Sequence, residues 1–163
     1  MGKWLFVLLL LFASSHCRSE NLADIFRQIP DTLTPYLSQH NRLDFIDFME
    51  SNMKAEVRNR LGGTSEMTAL TADSLSIRMS EALRIDMLLL TPVEPVDSSR
   101  QVVCVVSTYG TDSLGQESRV AYYTTRWSPL TTTPSLSPAD KRRVRAHDVQ
   151  TILKRDDEIL KKN

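Results

Sequence analysis

Histidine and cysteine are scarce in this chain of 163 residues, which holds three of the first and two of the second. Beyond residue 19 only His40, His147 and Cys104 remain. A structural zinc takes four Cys or His ligands and a catalytic zinc usually takes three protein side chains, so zinc chemistry has too few donors here. No Gly-x-Ser-x-Gly elbow occurs, and the serines gather in turn-like stretches; the commonest frame for a serine hydrolase is therefore absent. Glycine is equally sparse, with five in all and only Gly62 and Gly63 adjacent, so no glycine-rich loop is available to cradle a phosphate. No cofactor is expected. The longest apolar run, 4–12, falls well short of the roughly 20 residues that a membrane-spanning helix requires.

That run is nevertheless the most informative segment. Lys3, the apolar stretch 4–12 and then Ala13, Ser14 and Ser15 supply the charged, apolar and small-residue parts of a secretory signal peptide, placed here at 1–19. The expected location is the periplasm or the cell surface. Cys17 admits two fates: removal with the signal, or lipidation as in a bacterial lipoprotein. His16 disfavours the second, because the residue before a lipidated cysteine is normally small. Membrane attachment is expected only if Cys17 is lipidated. After cleavage, Cys104 is the one cysteine left, so the domain cannot be stapled internally and must rely on a packed core.

Residues 20–139 carry ten Lys and Arg against fifteen Asp and Glu, net −5, whereas 140–163 carry eight against five, net +3. A nucleic-acid-binding body needs a clustered basic surface to release phosphate counterions, and the main part of the chain has none.

Leu22, Ile25, Phe26 and Ile29 form a helical stripe that Pro30 and Asp31 stop. Asn41 with Asp44 forms an N-cap pattern for a second helix. Its stripe is Ile46, Met49, Met53 and Val57, Glu50 and Lys54 stand at the i, i+4 spacing, and Gly62-Gly63 stop it. The period then changes to two. Leu75, Ile77 and Met79 mark one strand, Leu83, Ile85, Met87 and Leu89 a second, Val102 to Val106 a third that is apolar on both faces, and Ala121, Tyr123, Thr125 and Trp127 a fourth. Residues 128–137 are Ser, Thr, Pro and Leu only, the composition of a linker. Ser137, Pro138 and Asp140 then open a charged helical tail, 138–163, with Val149, Ile152, Leu153, Ile159 and Leu160 as a partial stripe. The expected fold class is α+β: two N-terminal helices packed on an antiparallel sheet of about four strands within 20–127, then the linker and a C-terminal helix.

Candidate sites are few. Asp44, Asp47 and Glu50 recur every three residues on the second helix; an all-oxygen cluster suits a hard cation, but the same residues serve equally as the wet face of a helix, which is the reading favoured here. Cys104 with His40 makes a conceivable nucleophile and base, yet four valines flank the thiol, the setting of a small core hydrophobe. Tyr109, Tyr122 and Arg126 are the candidates for a recognition surface, since aromatics and Arg supply most anchor energy at interfaces; Tyr123 and Trp127 read as buried against the second helix. The tail cluster Lys141, Arg142, Arg143 and Arg145 reads as a solvated helix face.

The segment Asn41-Arg42-Leu43-Asp44-Phe45-Ile46-Asp47-Phe48-Met49-Glu50, the run Ser65-Glu66-Met67-Thr68-Ala69-Leu70-Thr71 and the run Met79-Ser80-Glu81-Ala82-Leu83-Arg84 together resemble domain-of-unknown-function family 3256, exported proteins of anaerobic Gram-negative bacteria of the gut and mouth. The resemblance runs from about Asp24 to Trp127 and implies a location outside the cytoplasm; it brings no activity and no site residue. Beyond Trp127 the chain departs from that pattern, so a truncated or replaced C-terminal part is expected. The leading functional expectation is a non-enzymatic binding or accessory module whose partner is an envelope protein or a glycan. The alternative is a cryptic hydrolase or metal-dependent enzyme using the acidic face of the second helix with His40.

Overall fold

The computed structural model describes residues 20–96, 100–111, 113 and 115–149. The expected signal segment and the tail beyond Val149 lie outside these residues.

Helix α1, Leu22–Arg27, is capped by Asn21, whose side chain accepts from the Asp24 amide at 2.8 Å. It buries Leu22, Ile25 and Phe26, the stripe expected from the sequence. Helix α2, Gln39–Glu50, begins earlier than expected. Its N-cap is Ser38, whose hydroxyl accepts from the Asn41 amide, while the Asn41 side chain accepts from the Ser38 amide. This reciprocal box makes Asn41 the third helical residue rather than the cap.

The helix also ends earlier. Ser51 caps it, Asn52 adopts φ 54°, and the chain turns extended; Asn tolerates the left-handed region better than most residues, so it reverses the chain where the helical stripe alone gave no stop. Ala55 and Val57 then point inward and Glu56 and Arg58 outward as strand β1, Ala55–Arg58, followed by β2, Thr64–Leu70. Strand β1 therefore stands where the helix was expected to continue, and β2 where no element was expected. Asn59 builds the connection: its side chain accepts from the Leu61 and Gly63 amides at 3.0 and 3.1 Å and donates to Ser65 Oγ at 3.0 Å. Lys54 consequently pairs with Glu56 at 2.5 Å rather than with Glu50.

Strands β3, Ser74–Ser80, β4, Leu83–Leu90, β5, Val102–Thr111, and β6, Gly115–Thr124, complete a six-stranded sheet in the order β1-β2-β3-β4-β5-β6, each pair antiparallel. The β5–β6 hairpin depends on Gly110, at φ 97°, where an added Cβ would lie 2.2 Å from the Gly115 carbonyl oxygen. The fold class is α+β as expected, with six strands instead of about four.

Both faces of the central strands are covered. On one, α1 and α2 pack on Met67, Leu75, Ile77, Met79, Met87 and Val103. On the other, Leu88, Leu90, Val102, Cys104 and Val106 lie under Leu136 and Val144. Residues 128–137 thus do not form a free linker. The Thr124 amide donates to the Ser128 carbonyl at 2.9 Å, the Leu130 amide to Tyr122 at 2.9 Å and the Val93 amide to Ser135 at 2.7 Å. Prolines prevent a regular ladder, but Leu130 and Leu136 provide apolar anchors across the sheet. The first of these bonds occupy the outer edge of β6 near its C-terminal end, so that part of the edge is covered. Helix α3, Pro138–His147, follows with Ser137 as cap and Pro138 in its first turn, as expected.

Candidate functional site

The acidic residues of α2 do not assemble a site. Asp44, Asp47, Glu50 and His40 are all exposed, none lines the two grooves described below, and Glu50 instead receives Arg27 Nη2 at 3.3 Å. Among the described residues no group of three or more His, Cys, Asp or Glu side chains is placed to hold a metal ion. Cys104 lies on the face of β5 opposite the helices, under Leu136 and Val144, whereas His40 is in the first turn of α2, so the two do not form a pair. Burial pushes the Cys104 thiol up to about 12. In a Cys17→Ser chain, a thiol reagent at neutral pH is therefore expected to leave the folded protein unmodified and to label it fully in denaturant. Labelling of the native protein at the rate of a free thiol would contradict this placement.

The three recognition candidates are also separated. Cys104 faces Tyr122 across the β5–β6 ladder, so Tyr122 belongs to the outer face, and burial raises its hydroxyl to about 12. Leu83 faces Tyr109, which puts Tyr109 on the helix-bearing face. Arg126 is exposed in the turn after β6. Trp127 lies beyond β6, in that same turn at φ 65°, with its indole Nε1 donating to the Ile25 carbonyl of α1 at 2.9 Å. Its hydrogen bond is thus to the first helix, and it shares the core with residues of both helices.

Tyr109 does have company that sequence reasoning did not supply. Helices α1 and α2 cover the β1 side of the sheet more fully than the β6 side, leaving a groove of about 450 Å³ beside the 30–37 loop. Its floor is Leu83, Ile85, Val105 and Ala121, and Tyr36, Tyr109, Tyr123 and Arg119 stand along it. Val105 and Ala121 are half-buried and Tyr109 is 47% exposed. Among the described residues no acid pairs with Arg119. Register explains the grouping: Tyr109, Ser107 and Val105 face Glu117, Arg119 and Ala121 in turn, so these side chains line the same side of the sheet. The missing signal was the 30–37 loop, since nothing in its sequence says where it lies over the strands.

The outer face carries a second constellation that sequence reasoning did not single out. Asp86 is 1% exposed in central strand β4, and its Oδ1 accepts from Ser76 Oγ at 2.5 Å and Arg84 Nη2 at 2.9 Å, with His147 Nδ1 at 3.6 Å. Burial alone would raise this carboxyl, but the nearby His147 imidazole and the bonds from Ser76 and Arg84 outweigh burial and hold it below its ordinary value. Beside it opens a broader groove of about 990 Å³, lined among others by Glu66, Arg78, Arg84, Thr108 and His147. Its two arginines are already matched, Arg78 with Glu66 and Arg84 with Asp86. A ligand entering there must displace or desolvate formed ion pairs. The helix-side groove has apolar floor, aromatic walls and one unmatched cation, and asks for no such loss.

The family model described as "Protein of unknown function (DUF3256)" matches residues 14–158. The match passes Trp127 and takes in α3, so the expected departure of the C-terminal part from the family does not hold. Among solved structures, a domain of an uncharacterized protein from Porphyromonas gingivalis W83 is similar, with 26% identity and a TM-score of 0.54 over 68% of this chain and 54% of that chain. The present chain thus spans about half of that one. No curated protein matches the chain.

Proposed function

Because the chain belongs to the DUF3256 family, whose description assigns no activity, we propose a function from its surface: an exported, non-catalytic module that docks an extended segment of an envelope protein in the groove on the helix-bearing face. The observation that carries this reading is the grouping of Tyr36, Tyr109, Tyr123 and Arg119, with which no acid pairs among the described residues, over half-buried Leu83, Val105 and Ala121. Aromatic side chains bury large area at small entropic cost, and an unmatched Arg at the wall selects a carboxylate. The occupant is accordingly a segment with apolar side chains and an Asp or Glu. Export rests on the signal-like residues 1–19.

The test is affinity capture from envelope extracts with the wild-type chain, Arg119→Glu and Tyr109→Ala side by side, followed by titration of a synthetic peptide covering the captured segment. Arg119→Glu is expected to weaken the peptide about tenfold or more, and reversal of the peptide's carboxylate to Lys is expected to restore binding to that variant. Equal affinity of all three chains for the peptide would remove the groove from the account.

A further inference from the structure

Helix α3 divides its side chains by direction. At about 100° per residue, Arg143, Val144 and His147 fall on one side, and each is engaged with the sheet. Val144 is buried in the outer core, Arg143 meets Asp73 at 2.8 Å, and His147 stands against Asp86. Asp140 also turns inward, where it accepts from the Ser137 hydroxyl at 2.9 Å and lies 3.4 Å from Arg143. The opposite side holds Lys141, Arg142 and Arg145, all exposed. Among the described residues no acid pairs with any of the three. The acid of the helix is spent on its cap and its docking, and the remaining cations contribute nothing to either.

We propose that this outer face of α3 is a docking surface for the anionic headgroups of a phospholipid bilayer. Charge complementarity names the occupant. Three cations within two turns form a flat stripe with no aromatic or aliphatic side chain between them on the exposed side, which suits a plane of phosphates better than an apolar protein groove. It offers no ring on which nucleic-acid bases could stack. Residues 20–139 carry net −5, so an anionic surface repels the body and attracts α3, and the molecule is oriented with this helix toward the bilayer. The inference does not depend on the helix-side groove, which lies on the other face of the sheet.

Co-sedimentation of the full-length chain with phosphatidylglycerol and with phosphatidylcholine vesicles tests it. Comparison of the two lipids separates headgroup attraction from apolar insertion of the run 4–12, and the α3 variants, which leave Lys3 and Arg18 unchanged, separate α3 from the cations beside that run. Binding to the anionic vesicles is expected to exceed binding to the neutral ones about tenfold at low salt, and the excess is expected to vanish near 0.5 M salt. K141E/R142E/R145E should abolish the excess and K141Q/R142Q/R145Q should reduce it, both with unchanged circular dichroism, while R58E, an exposed reversal on β1, retains it. Equal binding to both lipids, or an undiminished excess in the triple reversal, would overturn the assignment. So would a DNA duplex that captures the protein where the anionic vesicles do not.

Discussion

Trp127→Ala is expected to destabilise the domain by about 3–5 kcal/mol, read as a fall in the urea midpoint followed by far-UV circular dichroism. Trp127 is buried at the end of the sheet, its ring centroid 5.8 Å from that of Tyr123 in a tilted arrangement and its indole N–H on the Ile25 carbonyl. Truncation removes the apolar contact between β6 and α1 and takes one of two donors from the Ile25 carbonyl, which keeps the Gln28 amide at 3.1 Å. The left-handed backbone at φ 65° is costly for a bulky residue, so the seated ring also holds the turn in place. Trp127→Phe separates the two contributions, because it keeps an aromatic ring and loses the bond, for about 1 kcal/mol from the bond. Hydrogen exchange should show amides of Leu22–Arg27 losing protection first in the Ala variant. A loss below about 1 kcal/mol for Trp127→Ala would mean that α1 is held by its other contacts alone.

The second large effect belongs to Asp86. Asp86→Ala leaves Ser76, Arg84 and His147 facing a site with no acceptor. Breaking a buried ion pair from one side typically costs about 3–5 kcal/mol. Arg84 is more than half exposed and His147 also reaches solvent, and both recover water, so about 2–3 kcal/mol is expected here. The pH dependence has a definite sign. The folded carboxyl lies below its ordinary value of 3.8, so unfolding raises its affinity for protons. Its contribution is complete above the ordinary carboxylate range and is lost as pH falls from about 4 through the lower folded value. The stability difference between wild type and Asp86→Ala should therefore be constant near neutrality and shrink below about pH 4. A difference that grows on acidification would contradict the assigned network. Loss of α3 protection in the variant would connect the measurement to the docking of that helix through His147.

Much of the architecture was legible because hydrophobic period maps directly onto burial. Leu22, Ile25 and Phe26 mark the inner face of α1, and Leu75, Ile77 and Met79 mark that of β3. The run Val102 to Val106 was readable as apolar on both faces, which is the consequence of a second layer over the sheet, where Val102, Cys104 and Val106 are buried. The end of α2 was misread for a specific reason. Met53 and Val57 continue a helical spacing from Ile46 and Met49, but Met53 is exposed and Val57 belongs to an alternating Ala55–Arg58 strand. Four residues of strand are too few for period two to outweigh a longer helical match. The reversal at Asn52 depends on backbone conformation, which composition does not determine.

The candidate site was less legible because it is made of distant pieces. Tyr109 could be chosen as an aromatic on a strand, but its partners Tyr36 and Arg119 depend on the register of β5 with β6 and on the path of the 30–37 loop. Tyr122 was separated from Tyr109 by strand parity, once the register of the hairpin is known. An acid at Asp86, immediately before the apolar run 87–90 of a central strand, was the available signal for the outer-face network. Its partner His147 lies on another element, and only the packing of α3 brings the two together.

The central claim is that the helix-side groove is the docking surface, and site-specific photocrosslinking tests it most directly. A benzophenone side chain is placed at Tyr109 in one chain and at exposed Leu61, in the β1–β2 connection, in another, and both are irradiated in living cells. The account predicts a discrete adduct with one envelope protein from position 109, absent from position 61 and removed when Arg119→Glu is added. The same adduct from both positions, or one from position 109 that persists with Arg119→Glu, would contradict it.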